Sequence, residues 1–343
     1  MVDIVSKYRS VSFIGMSKNA GKTTTLNFFI EKTRGVKTLG LSSIGRDGES
    51  LDRVTGTEKP QIYVYKGTLV ATASACLKLS DATLEILEVS DFTTPMGKIV
   101  IARATSDGFV EIAGPSTNSQ TKKIMDKMYE FGAEQIFIDG AISRKSLASP
   151  TVAEATIMST GASFSKSIDS IVQETIHSYN LLITKKFDDE EMLHKIIGQN
   201  QCTVIADFEG KMTFHCENTI IGHEKAIAEQ INDDTRIIYT RGAITDSFID
   251  TLLRNTRLKT RLSLIAHDGT KLFINKENLA RINKRGWKLN VAHPIKLAAI
   301  TVNPFSANDY CLDSDLIIRE LKKIIRVPIF DVKKEVSLSE VFK

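Results

Sequence analysis

Apolar and polar positions in the first forty residues fall into blocks of different period. Val11 to Ile14 is a short apolar run, the form of a strand buried on both faces. Thr24 to Lys32 follows with Leu26, Phe29 and Ile30 on one helical face, and Gly35 can supply a left-handed residue to end that helix. Between strand and helix lies a polar, glycine-bounded segment, Gly15-Met16-Ser17-Lys18-Asn19-Ala20-Gly21-Lys22-Thr23. Val36 to Leu41 reads as a second strand, and it runs into the polar stretch Ser42 to Glu49.

The pattern is less regular from 50 to 117. Gln61 to Tyr65, Leu84 to Leu87 and Lys98 to Ala104 read as strands, with a turn at Asp107-Gly108 before Phe109 to Ile112. A helix is expected over about 118–131, with Ile124, Met128 and Phe131 as its apolar stripe and Gly132 at its end. Gln135 to Asp139 is an apolar strand terminating in an acid. A strand from Ala155 to Met158, a helix ending near His177 and a strand from Leu181 to Thr184 complete this part.

The polar stretch from Lys185 to Glu191 marks a boundary. Beyond it, Thr203 to Ala206 and Arg236 to Tyr239 read as strands, and Ser247 to Leu253 as a helix with Asp246 as N-cap. Ser263 to Ala266 and Lys271 to Ile274 flank a turn at Asp268-Gly269. The last segment holds a strand from Leu297 to Val302 ending in Asn303-Pro304-Phe305, a helix near 313–325 and a strand from Val327 to Asp331. Alternating strands and helices predict an α/β protein with a mostly parallel sheet. The expected division is 1–185, a second α/β region or insertion at 186–295, and 296–343 returning as closing strands.

Composition changes this picture little. The 343 residues suffice for two domains, and the net charge of +4 is small and interspersed, so nothing calls for nucleic acid. Cys76, Cys202, Cys216 and Cys311 are dispersed, without the spacing of a zinc or redox pair. Free thiols fit a reducing cytoplasm, the expected location. Met1 to Ser10 lacks the apolar stretch of a secretory leader, and no run approaches the roughly 20 apolar residues of a membrane helix. His215 beside Cys216 and His267 beside Asp268 lack second metal ligands at useful spacing.

The segment at Gly15 carries the chemistry. Glycines let backbone N–H groups close around phosphate oxygens, and a helix N-terminus adds the positive end of its dipole. In such a loop Lys22 bridges terminal phosphates and the Thr23 hydroxyl ligates Mg²⁺. Asp139 at a strand end is either the second metal-holding acid or an ordinary Asp-Gly turn. The polar loop from Ala141 to Pro150, with Ser143, Arg144 and Lys145, is a candidate for substrate or partner contact.

Five residues, Met16 to Ala20, separate the first glycine from the Gly-Lys pair, where the common signature has four. This longer loop, with Ser17 near its start, resembles that of dethiobiotin synthetases and of the ATP-dependent amidases of cobyrinate synthesis. The resemblance implies a P-loop NTPase fold that binds ATP and Mg²⁺ through Gly15, Ser17, Lys18, Asn19, Ala20, Gly21, Lys22, Thr23 and Thr24. In that branch a late strand ends in an Asn that hydrogen-bonds adenine. Asn303 matches it, with an Asn-Pro turn as the alternative reading. An acid after the second strand is common in the wider class. Asp47 matches it as metal ligand, general base or loop cap, and Arg46 beside it could contact phosphate or a partner's acid. Lys22, Asp47 and Asp139 are thus the expected catalytic residues, and Thr23, Asp47 and Asp139 the expected metal ligands. No Asn-Lys-x-Asp guanine motif is present, which favours ATP.

Longer phrases point further. Ser12 to Thr23, Ser43 to Glu49 and Thr55 to Pro60 resemble the smaller reactivase subunit encoded with B12- and PLP-dependent lysine 5,6-aminomutase. That resemblance implies an ATPase that releases damaged cobalamin from the aminomutase, with the aminomutase and a second reactivase subunit as partners and a homodimer as one assembly. Two alternatives remain open: a synthetase or ligase activating a small carboxylate, and a nucleotide-dependent cofactor chaperone or regulator. The ligase expectation includes further glycine after the Asp139 strand, whereas Gly140-Ala141 leads into Ile142-Ser143.

Overall fold

The computed structural model describes residues 2–44, 61–140, 148–207, 209–216, 219–254, 262–306 and 309–335. It divides into two compact units, Met1–Ile176 with Lys296–Lys343, and His177–Ile295. In chain order the elements begin α1 (Val2–Val5), β1 (Ser10–Gly15), α2 (Lys22–Thr33), β2 (Leu39–Ser43), β3 (Ile62–Val64), β4 (Leu69–Ala73), β5 (Leu84–Thr94), β6 (Gly97–Ala104), β7 (Gly108–Val110), α3 (Asn118–Glu130), β8 (Gln135–Asp139), β9 (Ala155–Gly161) and α4 (Ile168–Leu182). The middle of the chain forms α5 (Glu190–Gly198), β10 (Thr203–Ala206), β11 (Met212–Cys216), α6 (Glu224–Glu229), β12 (Ile237–Thr240), β13 (Ile244–Thr245), α7 (Asp246–Arg254), β14 (Ser263–Asp268), β15 (Leu272–Phe273), α8 (Lys276–Lys284) and β16 (Lys288–His293). The chain closes with β17 (Leu297–Asn303), α9 (Ser314–Lys322) and β18 (Ile329–Phe330).

In the first unit nine strands form one sheet in the order β18-β17-β9-β1-β8-β2-β4-β6-β5. Pairing is parallel from β18 through β4 and antiparallel at β6 and β5. The fold is therefore α/β with a mostly parallel mixed sheet. Central strands covered on both faces need apolar residues at nearly every position, and β1, β8 and β9 are buried almost throughout. Phe13 is the centre of one face. Its ring meets Phe137 of β8 edge-on at 5.3 Å and lies 6.0 Å from Phe29 of α2. Phe330 of β18 reaches the same cluster through Phe28 and Phe29.

The sequence pattern and the structure part company at particular places. Leu181 to Ile183 is not the start of a strand: α4 runs on to Leu182. Tyr179 and Leu182 are buried at helical spacing from Ile171 and Thr175, and a short apolar run cannot by itself distinguish a helix end from a strand. β4 is a strand that periodicity does not single out, because all five of its small and apolar residues are buried and no polar face contrasts with them. Asp246 does not cap α7 from outside but is its first residue. The Thr245 hydroxyl accepts the Phe248 N–H at 3.4 Å, while the Asp246 carboxylate takes the Asn275 N–H and the Asn278 amide, each at 2.9 Å. The strands around Asp268-Gly269 do not pair with each other. β14 pairs in parallel with β12 and β16, and β15 with β13.

The second unit has its own five-stranded sheet, β11-β10-β12-β14-β16, with β12, β14 and β16 parallel. One face packs on Met192, Leu193 and Ile196 of α5. The other packs on Phe248, Ile249 and Leu252 of α7 and Ile282 of α8. At the end of this sheet the Tyr239 hydroxyl lies 3.2 Å from His267 Nδ1, and the His267 ring meets His293 edge-on at 4.7 Å. Among the described residues no helix is long and apolar enough to cross a membrane.

Two outcomes follow. Phe13→Ala removes a fully buried ring and should cost about 3–5 kcal/mol in denaturant unfolding. Burial, with Arg241, Lys271 and Lys186 nearby, pushes His267 and His293 below the usual imidazole range, and Asp268 opposes that only in part. Both rings are then neutral in the folded chain where they would be charged unfolded. Their contribution should be full above the unfolded imidazole value of about 6.5 and be lost as pH falls through the folded values. Stability curves against pH should lose that acidic decline in a His267→Gln, His293→Gln double variant.

Candidate functional site

Parallel pairing fixes where the site lies. Successive parallel strands end on the same edge of a sheet, so Gly15 of β1, Asp139 of β8, Gly161 of β9 and Asn303 of β17 are carried to one edge together. Phe13 sits opposite Asp139 on one side and Ile157 on the other, and Asn303 sits opposite Gly161. The Met16 N–H donates to Ser159 O at 2.9 Å, so the chain leaves β1 along β9 before it turns back into α2.

That turn needs two residues of left-handed backbone, Asn19 at φ +59 and Gly21 at φ +87. Asn tolerates this conformation and glycine adopts it without strain. Gly21 has a second reason to lack a side chain, since a Cβ there would stand 2.8 Å from the Cβ of Asn303. No side chain caps the start of α2 at Gly21. The first-turn N–H groups of a helix have no intrahelical acceptor and carry the positive end of its dipole, and here they follow directly on the loop.

Lys22 opens α2, and its side chain crosses to the end of β8. Its Nζ donates to the Gly140 carbonyl and lies 2.8 Å from Asp139 Oδ1. Both side chains are largely enclosed, at 15 % and 20 % exposure, so their attraction is screened less than that of a surface pair. Asp139 Oδ1 is buried yet receives no aligned hydrogen bond, so its contact with Lys22 is one of charge and leaves lone-pair capacity.

Below the loop lies a buried set of hydroxyls. Thr25 Oγ1 donates to the Gly21 carbonyl at 2.9 Å and stands 2.9 Å from Thr301 Oγ1, which in turn stands 2.9 Å from Ser159 Oγ. Ser12 and Thr156 share a further contact of 2.8 Å. Ser17 Oγ meets Ser163 Oγ at 2.8 Å, and the Asn303 amide donates to the Asn19 carbonyl at 3.0 Å. A narrow cleft beside Asn303 is lined by Ala20, Gly21, Thr24, Asp331 and Lys333.

Lys22 is thus joined to Asp139, Ser17 to β9's following loop, and Asn303 to the backbone of Asn19. Gly15, Lys18, Ala20, Thr23 and Thr24 fall on the same strand–loop–helix passage. Asp47, Gly45, Arg46 and the loop 141–147 lie outside the described residues. Among the described residues no three of His, Cys, Asp and Glu are gathered to hold a metal. Sequence reasoning passed over Thr25, Ser159, Ser163 and Thr301. Serine and threonine are too common to signal a network; Thr25, Ser159 and Thr301 meet one another, and Ser163 meets Ser17, only once the fold is formed. Comparison with family models, with curated proteins and with solved structures returned no match.

Gly21→Ala adds a Cβ to left-handed backbone and presses it on Asn303. The change should lower stability by about 1–3 kcal/mol, as read by thermal or denaturant unfolding. A variant as stable as the parent would show that the loop relaxes freely around this residue.

Proposed function

We propose that the first unit is a P-loop NTPase of the dethiobiotin-synthetase-like branch and binds ATP with Mg²⁺ at the edge formed by Gly15 to Thr24 and Asp139. The observation that carries this reading is the Lys22–Asp139 contact. A loop with left-handed residues places a cation at the start of a helix, and an adjacent parallel strand ends in the acid that meets it. Triphosphate and divalent metal fit these residues. Lys22 can exchange the Asp139 carboxylate for terminal phosphate oxygens, and the uncapped first turn of α2 offers N–H donors to the phosphates before it. Thr23 and Asp139 are the residues that would hold the metal, which would neutralise phosphate charge during transfer. Asp47 joins them on the sequence argument.

The role of that ATP site rests on the resemblance of the N-terminal phrases. We read the protein as a reactivase component that couples ATP hydrolysis to the exchange of damaged cobalamin in a B12-dependent lysine 5,6-aminomutase. Two of those phrases lie in the sequence between β2 and β3, and Ser43 at the end of β2 sits opposite Asp139.

Purified protein should turn ATP over slowly alone and faster with inactivated aminomutase, damaged cobalamin and the second subunit. Lys22→Ala should abolish turnover in both settings, and Asp139→Asn should weaken its Mg²⁺ dependence. Turnover that needs a small carboxylate and ignores the aminomutase would replace the reactivase role with a ligase while keeping the ATP site. Unchanged nucleotide binding in Lys22→Ala would remove the ATP site itself.

A further inference from the structure

The second unit carries a group of titratable side chains that the ATP reading does not use. β12 ends in Tyr239-Thr240 and is followed by Arg241. β14 ends in His267-Asp268 and is followed by a turn that includes Lys271, and β16 ends in His293. Parallel pairing sets these ends side by side, with Thr240 opposite Ala266 and Asp268 opposite His293. The Tyr239–His267 contact and the edge-on His267–His293 pair knit the three ends together. His267, His293, Arg241 and Lys271 are half-buried, so the group is reachable from solvent.

Charge at this edge is mixed: the Asp268 carboxylate acts on both imidazoles against the cations around them. The positive charges of Arg241 and Lys271 act on His267, and that of Lys186 acts on His293. Arg241 is positioned by Asn200 Oδ1 at 2.8 Å and the Ile197 carbonyl at 3.4 Å, and Lys186 by Glu190 at 2.5 Å. Lys271 has no ion-pair partner among the described residues. The facing acid, Asp268, is fully buried, and its Oδ1 accepts the Thr270 N–H at 2.8 Å. That bond anchors the carboxylate to its turn, while its charge still acts on both imidazoles. What remains toward solvent is two half-buried imidazoles and the cations beside them, with the Tyr239 phenol buried beneath.

In α/β sheets, ligands sit outside the carboxyl ends of parallel strands. A group with several oxygens can take imidazole, ammonium and guanidinium donors at once, and phosphate suits that set. We propose that the carboxyl edge of β12, β14 and β16 is a second ligand site, taking the phosphate group of a small molecule on His267, His293, Lys271 and Arg241. It does not depend on Lys22 or on the identity of the first unit's ligand.

A bound phosphate favours the imidazolium form, so occupancy raises the pKa of rings that burial and neighbouring cations hold down. The test follows the His267 and His293 ring-proton resonances of the full chain from about pH 5 to pH 8, with inorganic phosphate or chloride at matched ionic strength. His267→Gln and His293→Gln assign the signals. Phosphate should raise both titration midpoints by roughly half a unit or more while chloride leaves them unmoved. Lys271→Gln should weaken the phosphate response roughly tenfold, the loss of one charge-assisted hydrogen bond, and Lys22→Ala should leave it intact. Midpoints that phosphate does not move, or that move equally in chloride or in Lys271→Gln, would overturn the proposal.

Discussion

β1 lies between β8 and β9, paired in parallel with both, and most of the first unit depends on that placement. Because Phe13 is level with Asp139 and Ile157, the residue after β8 and the loop after β1 emerge on the same edge. A parallel neighbour shifted by one residue would turn every side chain of β1 to the wrong face. The Phe13, Phe137 and Phe29 rings resist such a slip, since they fill one compact space between sheet and α2. The lysine–carboxylate contact at the edge is thus set by packing several residues below it.

The hydroxyls under the loop make the same connection from another side. Thr25 belongs to α2, Ser159 to β9 and Thr301 to β17, so three segments far apart in the chain meet in one buried set. Each such bond contributes about 1 kcal/mol net, but an unpaired buried hydroxyl costs more than that. The set therefore selects one arrangement of helix and strands. Together with the parallel pairing of β17 on β9, it joins the C-terminal strands to the first unit. The second unit solves its own problem differently, with apolar faces covered by α5 on one side and by α7 and α8 on the other. It leaves its polar chemistry at the strand ends.

Much of this was legible in the chain. The apolar run before Gly15, the helical stripe after Gly21 and the acid ending β8 are local patterns, and local patterns are what periodicity reads. Less was legible where the structure has no local contrast. β4 is buried on both faces with small residues, and the end of α4 is too short and too apolar to reveal its period. Partners such as Ser163 and Thr301 have no signature, because a hydroxyl acquires a role only from what folding places beside it.

By itself, then, the sequence determined the strand–loop–helix passage at Gly15 to Lys32, the strand ending at Asp139, and the candidates Lys22 and Asp139. Each follows from side-chain spacing or backbone freedom within a few residues. Tertiary structure alone decided that Lys22 meets Asp139 rather than another acid, that Asn303 props the backbone of Asn19, and that His267 and His293 stand ring to ring. Those contacts depend on strand order and register. Order and register are set by the whole sheet's need to bury its faces, a condition that no short stretch of residues can express.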